Sequence, residues 1–235
     1  MPLISTDEHV LTVINLFSTD SQEKQDFLLG EMRQIVDSAA YPGWLSSTVH
    51  SGVAWPGTAN FIQWRSGEDL DARYAGNVFR HRTVPTFEEK TLWMKLLRTQ
   101  VVFTQRQPSL GELTEISPQR DDYTVIEFLA ARPGKLDEVV DTVGPGRDWL
   151  TFVPGYRSHS VLRGLGSINY DGPFAVVYSQ WASKEQHDDF LDQPQRERRP
   201  LRQSNEAKLD SLITDSNWNS YRVVHTRSAA LEKSS

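Results

Sequence analysis

From residue 9 to residue 17 the chain is a short run rich in Val, Ile, Leu and Phe, and the pattern predicts a β-strand. Residues 21–38 then place Phe27, Leu28, Met32, Ile35 and Val36 at helical spacing, which gives one apolar stripe and predicts an amphipathic helix. Tyr41-Pro-Gly43 interrupts it, because proline cannot continue a helix. Strands are predicted near 45–53 and 58–65, with the turn Trp55-Pro-Gly57 between them. Ser66 stands where an N-cap belongs and Asp69 follows three residues on, so a helix is expected from there toward residue 79. A further helical stretch near 86–96 and a last strand at 99–106 complete the unit β-α-β-β-α-β.

The unit then repeats. Leu11-Thr-Val-Ile-Asn-Leu-Phe17 returns as Tyr123-Thr-Val-Ile-Glu-Phe-Leu129, Pro42-Gly43-Trp44 as Pro154-Gly155-Tyr156, and Val49 as Val161. Extra residues enter the second copy around Gly164–Asp171. After them Gln63-Trp64 matches Gln180-Trp181, Glu68 matches Glu185, Arg82 matches Arg199, and the cap Ser66 matches Ser183 with Gln186. Val101-Val102-Phe103 meets Arg222-Val223-Val224 at a slightly larger offset. Two long units argue for duplication and against a solenoid, which is built from shorter and more numerous repeats. The expected fold class is α+β: tandem ferredoxin-like modules that pack sheet to sheet as an intramolecular dimeric α/β barrel. The expected divisions are a module at 1–107, a linker at 108–122 rich in Pro, Gly and charge, a second module at 123–228, and a disordered tail at 229–235.

Composition narrows what such a barrel could do. The 235 residues carry no cysteine, which removes disulfides, thiolate metal sites and thiol nucleophiles together and fits a reducing cytoplasm. A net charge of −6 argues against nucleic acid as a partner. The N-terminus has no basic, apolar leader and no stretch is long enough to span a bilayer, so a cytoplasmic protein with no membrane partner is expected. Seven Trp and seven Tyr suit aromatic-lined cavities. His187-Asp188-Asp189 are adjacent on one expected helix and cannot converge on a metal ion, so no metal site is expected. His50, His159 and His225 are scattered and are expected at the surface or a pocket rim, where any one lining a cavity would be a candidate base. Leu162-Arg-Gly-Leu-Gly-Ser167 is read as a hairpin turn rather than a phosphate cradle.

The module order, the Pro-Gly-aromatic turn after the first helix and the Trp ending the third strand resemble the antibiotic biosynthesis monooxygenase superfamily. Closest in kind are its small quinone-forming oxygenases of aromatic polyketide pathways, which use O2 without metal or flavin. The resemblance covers residues 9–106 and 121–227. It implies catalytic roles for an Asn on the first strand and for an Asn and a Trp four residues apart on the third, matched here by Asn15, Asn60 and Trp64. It also implies a pocket Arg after the second helix, for which Arg82 is the candidate and Arg80 the alternative. Trp44, Tyr74, Arg80 and Trp181 are expected substrate contacts; Tyr74 lies a turn later than the family's tyrosine. In the second copy Asn15 becomes Glu127 and Asn60 becomes Val177, so the first module is expected to hold the chemistry and the second to complete the barrel or keep a degenerate site.

These residue types suit chemistry in which an electron-rich aromatic substrate carries the electronic burden. An Asn amide offers both acceptor and donors to an enol or phenolate oxygen. Trp offers a stacking face and one N–H donor. On a strand, residues 60 and 64 point to one side about 13 Å apart, the length of a tricyclic or tetracyclic molecule, and an Arg is a natural counter-ion for its anion. The expected partners are an anthrone- or naphthol-type polyketide and O2, with no cofactor, in a monomeric barrel or a homodimer. The alternatives are a ring-opening, angucycline-type oxygenase that needs reduced flavin, a polyketide cyclase, and a non-catalytic binder of aromatic metabolites.

Overall fold

The computed structural model describes residues 2–7, 9–111 and 113–229. In chain order the first module contains β1 (Leu3–Ile4), β2 (Leu11–Ser18), α1 (Gln22–Asp37), β3 (Trp44–Gly52), β4 (Gly57–Trp64), α2 (Gly67–Ala75), a π-helical turn (Phe79–Thr83), α3 (Val84–Lys90) and β5 (Trp93–Arg106). After β6 (Thr114–Glu115) the second module adds β7 (Tyr123–Ala131), α4 (Leu136–Val143), a 3-10 segment (Pro145–Phe152), β8 (Tyr156–Ile168), β9 (Phe174–Trp181), α5 (Lys184–Asp192), α6 (Pro200–Leu212) and β10 (Ile213–Ser228).

Eight strands close into one barrel, in the order β10-β3-β4-β2-β5-β8-β9-β7. Each module lines up its strands as fourth, first, third, second, and the last strand of each is long because it serves two neighbours. The first half of β5 pairs with β2 and its second half with β8 of the other module (Phe103↔Val161). Likewise β10 pairs with β7 over Ile213–Tyr221 and then with β3 (Val223↔His50). The strands alternate, as period two requires. One face, with Ile14, Phe61, Leu97, Phe128, Val176 and Tyr178, fills the barrel. The other face packs under helices: Phe17, Val49 and Leu96 beneath α1 and α3, and Leu129, Val161 and Val177 beneath α4 and α6.

The expected caps form: Ser66 and Ser183 each accept a hydrogen bond from the backbone N–H three residues on, and Ser21 does the same for α1. The Pro-Gly turns hold Gly43 and Gly155 at φ of 74° and 78°, conformations that favour glycine. Each glycine's carbonyl accepts from the residue just past β4 or β9: Arg65 N–H on Gly43, Ala182 N–H on Gly155, both at 2.8 Å. This locks the aromatic start of β3 or β8 beside the Trp that ends the next strand.

Four expectations are corrected. Residues 93–96, the end of the helix expected near 86–96, are strand, because pairing with β2 (Ser18↔Trp93 through Thr12↔Thr99) decides their conformation. The helix expected to reach residue 79 ends at Ala75, and a π turn leads into α3, whose first turn takes Pro85. Leu162–Ser167 is not a turn. The extra residues lengthen β8 to Ile168 so that it reaches Leu96 of the long β5. Finally, the 108–122 segment connects the modules but also contributes to the barrel. Its β6 pairs with β1 (Leu3↔Glu115), and Ile4 and Ile116 both enter the barrel core. This short ribbon is held by the duplicated glutamines, Gln63 Nε2 donating to Leu3 O and Gln180 Nε2 to Glu115 O, each 2.9 Å. Of the tail expected at 229–235, Ala229 N–H donates to Leu45 O (2.8 Å), and 230–235 lie outside the described residues.

Inter-module pairing also finishes α1. Its last turn has no basic residue. Arg227 of β10 supplies the charge instead, its Nη1 donating to Val36 O and Ala39 O at 2.7 Å each, while His225 Nε2 meets Asp37 Oδ1 at 2.7 Å. Charge-assisted bonds to orphan helix-end carbonyls are among the stronger ones. Arg227→Ala is therefore expected to lower unfolding stability by about 2 kcal/mol, measured by urea denaturation. A change within experimental error would show that β10 does not anchor α1 this way.

Candidate active site

The outward face of the first module's sheet and the helices over it enclose a pocket with about 740 Å³ of atom-free space, part of it open to solvent. It is a narrow slot, walled mostly by apolar and aromatic side chains. Asn15 and Asn60 face each other directly across β2 and β4, and Trp64 follows on the same face of β4. All three are buried and line the slot. Asn15 Oδ1, Asn60 Oδ1 and Trp64 Nε1 have no hydrogen-bond partner among the described residues. Leaving such atoms unpaired in the interior costs on the order of 1–3 kcal/mol each. The fold thus holds two amide oxygens ready for a guest's hydroxyl donors and one indole N–H ready for a guest's oxygen.

Aromatic groups make the walls. Trp44 pairs in register with Trp64 and is pinned by its Nε1–H, which donates to Ser47 Oγ (2.9 Å). Tyr41 stacks on Trp64 with centroids 6.3 Å apart, and Tyr74 stacks on Phe79 at 4.4 Å. Tyr74, near the cation of Arg98 (5.7 Å from its ring), has its hydroxyl pushed up to about 12, chiefly by burial, so it stays a neutral phenol.

Five of the residues singled out from the sequence, Asn15, Trp44, Asn60, Trp64 and Tyr74, therefore meet in one cavity. Arg80 and Arg82 do not join them. Both are exposed on the π turn, where Arg80 Nε donates to Tyr74 O (3.2 Å). The pocket's cation is Arg73, seven residues before Arg80 and on α2, with its guanidinium 4.3 Å from the centroid of Tyr41 and 5.2 Å from that of Phe79. The displacement follows from the early end of α2. Because the helix stops at Ala75, the residue facing the sheet is Arg73, three after the buried Leu70. That i, i+3 relation is the signal by which the sequence could have found it. Ser47 and Tyr41 were also missed; Tyr41 carried a cue, as the aromatic preceding the Pro-Gly turn.

Trp181 lines a different cavity, the counterpart in the second module, with about 1090 Å³ of atom-free space. There Glu127, in the place of Asn15, pairs with Arg147 (3.3 Å). Trp181 Nε1–H donates to Ser179 Oγ (3.3 Å), whereas Trp64 keeps its N–H free.

The histidines are not surface or rim groups as expected. His50 is fully buried inside the barrel, 2.9 Å from Tyr178 Oη, and burial lowers its pKa to about 4. His159 is also buried, and it lines the second module's cavity. Only His225 of the three is partly exposed. Among the described residues, no Asp, Glu, His or Lys lines the first pocket. Among the described residues no group of three or more His, Asp or Glu comes together as a metal site, and no helix is long and apolar enough to cross a membrane.

Comparison with known proteins agrees with this architecture. The model of the antibiotic biosynthesis monooxygenase family matches residues 122–198. Among curated proteins, none matches the chain. Among solved structures, an anthrone oxidase-like protein is 47% identical over 97% of this chain and 96% of its own, with a TM-score of 0.94. A protein from Fusobacterium nucleatum proposed to be a monooxygenase shares the fold at 7% identity, covering 93% and 94% of the two chains with a TM-score of 0.58. So does a major regulator of staphylococcal pathogenesis, at 10% identity over 91% and 99%, with a TM-score of 0.52. That last likeness shows how far function varies on one barrel. With a relative nearly half identical along almost its whole length, and the family's own pattern in residues 122–198, the chain belongs to the antibiotic biosynthesis monooxygenase family.

Proposed function

We propose that the first module is a cofactor-independent oxygenase site that converts an anthrone- or naphthol-type aromatic polyketide to a quinone. The observation that carries this reading is the convergence of three unpartnered polar atoms, Asn15 Oδ1, Asn60 Oδ1 and Trp64 Nε1, in a narrow aromatic slot. The 47%-identical relative, described as anthrone oxidase-like, supports the substrate class.

For an anthrone the overall reaction adds O2, releases water and turns the central CH2 into C=O. Loss of one CH2 proton gives an enolate, whose oxygen the Asn15 and Asn60 amides can hold through their N–H donors. The amide O/N assignment is free to adapt to the guest. The enolate passes one electron to O2, and the resulting radical and superoxide combine to form a C–O bond. The peroxide takes a proton. The remaining C–H proton then leaves as the O–O bond breaks, giving the quinone and water. Trp64 Nε1–H is placed to donate to the developing peroxide, and Arg73 offsets the anion's charge. The substrate supplies all four electrons, so the protein's share is binding, orientation and charge stabilisation.

One O2 is expected to disappear per quinone formed, measured with an oxygen electrode and without added flavin. Asn60→Ala is expected to lower kcat/KM by about tenfold to a hundredfold, since removing one oxyanion donor has effects of that order or larger. Full-rate product formation under anaerobic conditions would overturn the oxygenase reading in favour of a cyclase. A requirement for reduced flavin would overturn cofactor independence.

The pocket's lining also sets the pH profile. Tyr74 stays protonated up to about pH 12 and the lining contains no carboxylate or imidazole. Between pH 5 and 10 the rate is expected to rise with ionisation of the substrate itself, and the inflection should move when a substrate of different acidity is used. An inflection near pH 6–7 that ignores the substrate would show that a protein base does the deprotonation.

A further inference from the structure

The second module is not only a partner in the barrel. Its cavity sits at the place equivalent to the first pocket, yet its polar atoms are of another kind. His159 on β8 and Ser179 on β9 are register partners, and Glu127 and Trp181 share that outward face. The His159 ring is held by Tyr156, whose Oη lies 2.8 Å from Nδ1, and it is 1% exposed. Nε2 of that ring has no partner among the described residues, and neither do Trp149 Nε1 nor Asn205 Oδ1, both on residues lining the same cavity. Burial foremost, with Arg147 nearby, lowers His159 to about 3, so the imidazole is neutral throughout the working range.

The cations of this cavity are already paired. Arg147 pairs with Glu127, and Arg202 pairs with Glu206 (2.7 Å) while donating to Phe190 O (2.8 Å). Among the described residues no uncommitted cation is left in the lining to attract an anion, and the carboxylate of Asp210 also lines it. What remains unpartnered among the described residues is one N–H donor (Trp149), one acceptor (Asn205 Oδ1) and two imidazole nitrogens (His159 Nε2 and His187 Nδ1), among the rings of Trp149, Trp181 and Phe190. Asn205 is fixed in that sense because its Nδ2 already donates to Thr142 O (2.8 Å) and Gly146 O (3.0 Å). We infer that the second module carries its own ligand site, for a neutral aromatic molecule bearing both a carbonyl acceptor and a hydroxyl donor. The carbonyl would take the Trp149 N–H, and the hydroxyl would reach Asn205 Oδ1 or His159 Nε2. This inference stands apart from the reaction proposed for the first pocket, since none of its residues line that pocket.

The test is calorimetric titration of the full chain with 1,8-dihydroxyanthraquinone, a neutral probe that is stable in air. Two molecules are expected to bind per chain. Trp149→Phe, which removes only the N–H, should weaken one of the two by about five- to tenfold, the loss of one buried hydrogen bond, and should leave turnover at the first site within about twofold. Asn60→Ala should affect the other event alone, so failure of the first-site reading remains separable. His159→Gln serves as a second variant, expected to weaken the same event as Trp149→Phe. A single event weakened by Trp149→Phe and His159→Gln but not by Asn60→Ala would sink the first-site reading alone; no binding, or binding that neither Trp149→Phe nor His159→Gln changes, would overturn the inference.

Discussion

Each module ends on a strand that must satisfy two neighbours. A four-stranded split β-α-β sheet has two raw edges, and exposed edges invite uncontrolled pairing. Here β5 and β10 run past their own modules and hydrogen-bond to β8 and β3 of the other, so both edges disappear at once. Once the barrel closes, one face of every strand is committed to its interior, and the opposite face must be covered by helices. The pockets arise where that cover is incomplete. Their position outside the barrel is thus a consequence of closure, and closure also places Arg227 of one module on the helix end that roofs the other's pocket.

The same frame explains how the two copies could diverge. Residues needed for closure recur: Gln63 and Gln180 hold the β1–β6 ribbon through matching bonds, with Ser46 and Ser158 donating to them at 2.7 Å each. Residues facing the cavities are free of that duty. Where the first copy sets Asn15 against Asn60, the second sets Glu127 beside Val177 and brings Arg147 to neutralise it. Where Ser47 accepts from Trp44, the second copy has His159. A half-buried carboxylate is steadied by a cation, and here that cation comes from the stretch where the first module simply continues α1. The 3-10 run Pro145–Phe152 supplies it, together with Trp149.

Much of this was legible in the sequence because it rests on local rules. Caps at Ser66 and Ser183, the Pro-Gly turns and the repeat itself gave the element order, and the repeat gave the barrel. Asn15, Asn60 and Trp64 could be placed on one face because strand period is two. Arg73 shares the face of Leu70 by its i, i+3 relation, but the early end of α2, which leaves Arg80 and Arg82 outside the pocket, is set by tertiary contacts. Residues 93–96 failed for a related reason: they follow on from a helical stretch, and only pairing with β2 decides otherwise. The burial of His50 and His159 is invisible locally. Both sit on strands whose polar character looks exposed until the opposite module covers it.

The two tryptophans that end β4 and β9 show why a shared residue need not mean a shared role. Each is buried, each follows the glycine-locked turn, and each belongs to the fold's packing. What separates them is one neighbour. Ile62 beside Trp64 offers no acceptor, whereas Ser179 beside Trp181 takes the indole N–H. A donor already bonded contributes little to a guest, because any new bond must first break the old one. The free N–H of Trp64 therefore distinguishes the first pocket more sharply than the presence of tryptophan does. In the second pocket the free indole is Trp149, on a segment that enters from the helical side. A guest there would be gripped from the roof instead of from the sheet, so the two cavities would hold similar rings in different orientations.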